Sequence, residues 1–256
     1  MGLKKVFHIS DIHWRNVNRH AEYRDVFEKI FEEIRKRGTD NSIIYLGGDI
    51  VHAKLELSPE LIREVSWLFT ECAKLCPTVL IAGNHDCNMN NMDRLDALTP
   101  IVEALDLPNF HYLRDTQVYS IGGVDFAVFS IFDKRINWPK PTEMFGNKKI
   151  ALFHGPIDTS TTDVGYVVSS RHFKPEIFDG FDLALLGDIH KRQIIISDTG
   201  CKIVYPGSPI QQNFGETLDK HGFLVWDLDT FEYEEVDIKN EYGYYTLNVD
   251  VVLCQM

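Results

Sequence analysis

Three side chains able to bind a metal or move a proton, Asn84-His85-Asp86, directly follow the apolar run Thr78-Val79-Leu80-Ile81-Ala82 and Gly83. The same pattern recurs at Asp11-Ile12-His13, Gly47-Gly48-Asp49, His154-Gly155 and Gly187-Asp188-Ile189-His190, each after an apolar stretch. Collected, Asp11, His13, Asp49, Asn84, His154, Asp188 and His190 offer oxygen and imidazole donors and no thiolate. Such a set suits Mn²⁺, Fe or Zn²⁺ in higher-coordinate sites. Two divalent cations roughly 3.5–4 Å apart, sharing a carboxylate, match the number of donors. Such a pair lowers the pKa of a water and neutralises charge building on a phosphoryl group. Expelling the leaving group then needs a proton donor not spent on a metal. His85 is that candidate, with Asp86 expected to fix its tautomer. Any one of these stretches could be an ordinary polar turn; five in order make that reading poor.

Elements must carry these groups to one place. Continuous apolar runs ending in glycine and a polar residue read as strands of an α/β sheet, whose ligands sit beyond the carboxyl ends. Asp11 and His13, two apart, are expected on the same side of a strand end. Between the runs, apolar residues at 23, 26, 27, 30, 31 and 34 predict a helix over 23–37, stopped by Gly38. Ser58-Pro59-Glu60 opens a second helix to about Leu75, and 95–105 reads as a third despite Thr99-Pro100. Residues 110–130 alternate as strands, with Gly122-Gly123 as a two-residue hairpin turn. The loop from Lys134-Arg135 to Lys149 carries basic residues. Lys134 and Arg135, with Lys191 and Arg192 after the last motif, are the candidate substrate contacts, although a solvated loop is the commoner role of such a run.

With 256 residues, 44% hydrophobic and 25% charged, the chain can bury one large core. Its net charge of −12 argues against broad attraction to nucleic acid, although bound cations would offset some of the acids. Five scattered cysteines form no zinc knuckle and read as reduced thiols. No apolar leader or membrane-length run is present in the sequence, so neither secretion nor a membrane partner is expected.

Together, D-x-H, G-G-D, G-N-H-D, H-G and G-D-I-H over roughly residues 4–228 resemble the calcineurin-like metallophosphoesterase superfamily. Within it, three features resemble the SbcD-like nuclease subunit of double-strand-break repair. They are Gly48-Asp49-Ile50-Val51-His52, the stretch Tyr205-Pro206-Gly207-Ser208 to Phe214-Gly215-Glu216, and His221-Gly222-Phe223. The resemblance implies a four-layer α/β sandwich over 1–229 and the beginning of a small capping domain at 230–256, cut short within this chain. It places Asp11, His13, Asp49 and His190 on one metal, and Asp49, Asn84, His154 and Asp188 on the other. It makes His85 the proton donor or transition-state contact, with His52 near the scissile phosphate. The last motif departs from the usual G-H-x-H: Asp188 stands for the first histidine, which predicts retained activity with altered metal preference.

The implied function is a Mn²⁺-dependent DNA nuclease, exonucleolytic on duplex ends and endonucleolytic on single strands. The implied partners are DNA, a second copy held through helices 59–75 and 93–105, and a coiled-coil SMC-type ATPase whose docking segment lies outside this chain. The implied location is the cytoplasm of a bacterial or phage-infected cell, or a eukaryotic nucleus. A small-molecule phosphodiesterase shares the metal motifs and is one alternative. A non-catalytic scaffold binding DNA ends is the other, with Asp188 the one feature in its favour.

Overall fold

The computed structural model describes residues 2–91, 93–169 and 173–246. Two six-stranded mixed sheets pack face to face. In the first, β1 (Lys5–Ile9), β2 (Ser42–Leu46), β3 (Thr78–Leu80) and β4 (Phe110–Tyr112) run parallel, and β11 (Gly222–Asp227) and β12 (Tyr233–Asp237) extend it antiparallel, in the order β12-β11-β1-β2-β3-β4. The second has the order β5-β6-β7-β8-β10-β9. Here β6 (Val124–Phe129), β7 (Lys149–His154), β8 (Leu183–Gly187) and β10 (Lys202–Tyr205) are parallel, with β5 (Val118–Ile121) and β9 (Gln193–Ile196) antiparallel at the edges.

Burial on both faces explains the unbroken apolar runs. Phe7, Ile9, Ile44 and Leu46 face α1 (His20–Arg37) and α2 (Pro59–Leu75), packing against Phe27, Phe31, Leu68 and Phe69. The alternate residues Val6, Ile43, Tyr45 and Val79 meet Phe126, Ile150, Leu152 and Leu185 of the other sheet. On the outer face of the second sheet, Phe129, Phe153 and Leu186 are covered by Phe178 and Phe181 beside short 3₁₀ turns. The four expected layers are therefore present, but the fourth is 3₁₀ turns and loops rather than α-helix.

The third helix, α3, spans Thr99–Leu105 and not 95–105. Buried Asp96 stops it from starting earlier: its Oδ1 accepts the N–H groups of Leu98 and Thr99 at 2.9 and 2.7 Å. Pro100 then sits in the first turn, where its missing donor costs nothing. Trp67 lies in the layer between α1 and α2, against Trp14, Phe31 and Arg24.

The domain boundary expected at 229/230 falls in the turn joining β11 and β12, which pair from Gly222↔Asp237 to Trp226↔Tyr233. Residues 230–237 thus continue the first sheet instead of opening a separate unit. The stretch after them is held to α1 by Lys29 Nζ donating to the Lys239 carbonyl and by Asn240 donating to Glu22. The remainder of the expected capping domain, 247–256, lies outside the described residues.

Candidate metal centre

Strands β1, β2 and β3 are adjacent and parallel, as are β7 and β8, so their carboxyl ends deliver the five motifs to one rim of the sandwich. The motifs do not simply prolong the strands. β1 ends at Ile9, and Asp11 and His13 have φ of 56° and 50°, in the left-handed region that L-residues seldom adopt. Asp49 and Asp188 share that feature, at 52° and 95°. Asp11 and His13 are therefore aimed by turns, not by strand alternation. Backbone bonds hold these turns: Asp11 N–H donates to the Gly48 carbonyl at 3.1 Å, and His13 N–H to that of Asp49 at 2.8 Å. Strained backbone that the surroundings over-determine is typical of functional sites. Gly83 permits the closest approach, because a Cβ there would lie 2.1 Å from Asp49 Oδ1.

The donor atoms converge. His13 Nε2 lies 2.9 Å from His190 Nε2 and 3.4 Å from Asp49 Oδ2. His154 Nε2 lies 3.3 Å from the same Asp49 oxygen, 3.1 Å from Asn84 Oδ1 and 3.9 Å from Asp188 Oδ1. Asp49 Oδ2 thus stands between two imidazole groups, where a bridging carboxylate belongs. Asp11, His13 and His190 form one group with mutually close ligand atoms; Asp11, Asp49 and His154 form another. The rings are oriented from behind, since His154 Nδ1 donates to the Gly47 carbonyl at 2.7 Å and His190 Nδ1 to Glu216 Oε1 at 2.7 Å. Both Nε2 atoms thereby face inward, where a cation that displaces their protons would find them as donors of a lone pair. Asp11 Oδ1 accepts the Asp188 N–H at 2.8 Å, while its buried Oδ2 has no partner.

Burial pushes the Asp11 carboxyl up to about 6, so an ionised form needs positive charge nearby. Burial also disfavours charge on Asp49 and His154, yet their mutual attraction outweighs it, holding Asp49 low and His154 high. His190 is raised to about 9: burial opposes the imidazolium, and the Glu216 bond overrides it. The buried carboxylates of Asp11 and Asp49, the half-buried Asp188, an amide oxygen and three imidazoles fit divalent cations by charge and donor type, with Asp11 Oδ2 open for one.

His85 stands beside this centre, its ring 4.7 Å from that of His13 and nearly perpendicular to it. Its Nδ1 donates to the His52 carbonyl at 2.7 Å, so Nε2 is the acceptor of the neutral ring and carries a transferable proton only in the imidazolium form. Asp86 does not fix that tautomer. Its carboxylate is fully buried and accepts the N–H groups of Val51 and Gly83 at 3.0 and 2.8 Å, tying two ligand-bearing loops together. The work the structure gives Asp86 is therefore to join these two loops, and its carboxylate meets no imidazole among the described contacts. His52 lies within ligand reach of His13 and His85, and its Nε2 meets Arg15 Nη1 at 3.0 Å.

Arg192 is bound through Nη1 to Glu235 at 3.0 Å and Asp237 at 2.7 Å on the sheet edge, with its side chain 8% exposed. Lys191 sits nearer the centre, donating to Thr161 Oγ1 at 3.2 Å. Lys134 and Arg135 are exposed on or beside a 3₁₀ turn. A cleft of about 250 Å³ opens beside Asp188 and His190, walled by Asp163, Val164, Asn213 and Glu216. Sequence reasoning missed three groups. Glu216 was visible only as the end of a signature with no role attached. Arg15 and Lys54, which donates to the Asn84 carbonyl at 3.1 Å, carry no spacing signal that separates them from surface cations.

The pattern of the calcineurin-like phosphoesterase family matches residues 4–192, and the chain belongs to that family. It is 40% identical over 257 positions to "Uncharacterized protein R555" of Acanthamoeba polyphaga mimivirus, an alignment covering 96% of this chain and 19% of that protein. This chain therefore spans about a fifth of that relative's length. It is 26% identical to "Putative phosphoesterase 244L" of Invertebrate iridescent virus 6, over 86% of this chain and 75% of that one. Among solved structures, one described as a novel archaeal phosphodiesterase aligns with a TM-score of 0.47 and 13% identity, over 91% of this chain and 99% of that one.

Proposed function

We propose that the chain is a metal-dependent phosphodiesterase that cuts DNA, SbcD-like in its site. Exonuclease action on duplex ends and endonuclease action on single strands are included. The observation that carries the reading is His85: a histidine anchored through Nδ1 beside converging metal donors, with Nε2 left for a proton. Asp11, His13, Asp49 and His190 would hold one divalent cation, and Asp49, Asn84, His154 and Asp188 the other. Two such cations, with Mn²⁺ suited to the oxygen-rich set, would supply Lewis-acid stabilisation of the phosphoryl oxygens and an activated water.

The chain's own residues do the rest. Asp49 fixes the spacing of the two halves, and Glu216 and the Gly47 carbonyl hold His190 and His154 in the tautomer that presents Nε2. His85 in its imidazolium form gives the Nε2 proton to the leaving alkoxide oxygen and returns to the neutral ring with Nδ1–H on the His52 carbonyl. His52 cannot do so through Nε2, because a guanidinium only donates and that atom must accept from Arg15. The two histidines are thereby assigned different work. The SbcD-like reading extends to a homodimer through α2 and α3 and an ATPase partner for the longer protein.

A small-molecule diester is the second reading. The wall of the cleft at Asp188 and His190 favours it, since Asp163 and Glu216 line it and, among the described residues, no lysine or arginine does. Cleavage of circular single-stranded and end-labelled duplex DNA with Mn²⁺, Mg²⁺ or EDTA separates the two. Mn²⁺-dependent cutting that His85→Ala abolishes while its metals stay bound is the expected result. Hydrolysis of a small diester with no cutting of DNA would move the assignment to the second reading.

A further inference from the structure

The geometry points to Arg15 as a binding residue for a backbone phosphate next to the scissile one, which makes the site one for a polynucleotide strand. The inference rests on the DNA-cleaving reading above and adds to it the way the strand is held.

Lys54 and Lys191 donate to the Asn84 carbonyl and to Thr161, and several arginines are neutralised by carboxylates. Arg19 is paired with Glu22, Arg24 with Glu64, and Arg192 with Glu235 and Asp237. Arg15 differs. It makes no ion pair with any carboxylate among the described residues. Its partners are an imidazole and a carbonyl: Nη1 donates to His52 Nε2 at 3.0 Å and Nη2 to the Gln212 carbonyl at 3.1 Å. Its Nε and the His52 Nδ1 are buried with no hydrogen-bond partner. A half-buried guanidinium stays protonated, and leaving its donors unmet is costly. Two unmet donors and an uncompensated charge side by side call for an anion.

Position identifies which anion. The rings of His13, His85 and His52 form a contiguous set, with His52 5.6 Å from His13 and 5.5 Å from His85. Arg15 touches this set only through His52 in the contacts described. A phosphate held between the metals and His85 is therefore one imidazole removed from the guanidinium. The neighbouring phosphate of the same strand is the group that a second cation at that remove would meet. Arginine suits it, because its planar fork matches phosphate oxygens. On a chain of net charge −12, one unpaired guanidinium beside the centre also gives a strand local attraction that the surface as a whole withholds.

The test uses Arg15→Gln, which can still donate to His52 but carries no charge, and Arg15→Lys, which keeps the charge. Binding of a short labelled single strand is followed against salt in Ca²⁺, and hydrolysis of the same strand is compared with that of a nucleoside p-nitrophenyl phosphodiester, which has no second phosphate. Losing one phosphate contact on a single strand should reduce the slope of log K against log salt by about 0.7 in Arg15→Gln. Its KM for the oligonucleotide should rise about tenfold or more with kcat little changed, while the single diester is cut as by the wild type. Arg15→Lys should keep the wild-type slope. An unchanged slope in Arg15→Gln, a lost slope in Arg15→Lys, or equal kcat losses on both substrates would overturn the assignment, reducing Arg15 to a support for His52. A wild type that hydrolyses the single diester but neither binds nor cuts the oligonucleotide would overturn the DNA reading itself. Protection of the site by inorganic phosphate alone, equal in wild type and Arg15→Gln, would show that the guanidinium holds no phosphate.

Discussion

Glu216 shows how much of a metal site lies one residue behind the ligands. Its Oε1 accepts from His190 Nδ1, its Oε2 accepts the Gln212 N–H at 2.7 Å, and Asn213 donates to Oε1 at 2.8 Å. The carboxylate therefore aims the ring and is itself fixed by a loop. Replacing it by glutamine removes the negative charge and leaves one oxygen for three donors. Groups in this position typically contribute ten- to a hundredfold to metal affinity. Glu216→Gln should weaken Mn²⁺ binding by about that factor at the His190 side, read by calorimetric titration, with far-UV circular dichroism unchanged. Wild-type affinity in the variant would remove Glu216 from the centre. The donor residues themselves were legible in the sequence because each follows an apolar run. Their supports were not: Glu216 is 26 positions from His190, and nothing local joins them.

At the scale of elements, the loops after β2 and β3 behave as one unit. Asp86 ties Val51 and Gly83 together, and the His85 N–H donates to Asp49 Oδ1 at 2.7 Å. Gly83 lies at their closest approach, with Asp49 N 2.4 Å and Asp49 Oδ1 2.1 Å from where a Cβ would be. No real Cβ contact is that short, so one loop must move. Gly83→Ala should lose most metal binding and nearly all turnover, because the shift displaces the carboxylate shared by both groups of donors. Thermal unfolding should still show a cooperative transition, since β2, β3 and their helices pack elsewhere. Full activity in Gly83→Ala would contradict the interlocked arrangement.

The strands, the two long helices and the Gly122-Gly123 turn followed from periodicity and turn chemistry. The left-handed turns at Asp11 and His13 did not, because tertiary bonds to Gly48 and Asp49 impose them. The start of α3 was obscured by its proline, and Asp96 supplies the missing stop signal. The contacts of Asp86 were not legible for a related reason: adjacency to His85 in sequence says nothing about which backbone donors its side chain meets.

Across the whole molecule, charge and topology work together. The chain has 38 acidic and 26 basic side chains, and ion pairs at the periphery, such as Lys148–Asp229 and Arg37–Glu234, use several of the cations. The rim where both sheets end concentrates Asp11, Asp49 and Asp188, charges that a cation pair would offset. Metal is therefore expected to bind the native state strongly and to raise its thermal stability. Because His154 and His190 are held protonated in the metal-free chain, binding should release protons and strengthen as pH rises. The β12 edge strand and its link to α1 belong to the same unit as the centre within the described residues.

The measurement that tests the central claim most directly is calorimetric titration of the metal-free chain with Mn²⁺ at two pH values, beside Asp49→Asn. The account predicts two ions per chain, tighter binding at the higher pH with more protons released at the lower one, and loss of both sites in the variant because Asp49 serves each. One ion or none per chain, or two ions still bound in Asp49→Asn, would contradict the paired centre on which the proposed chemistry stands.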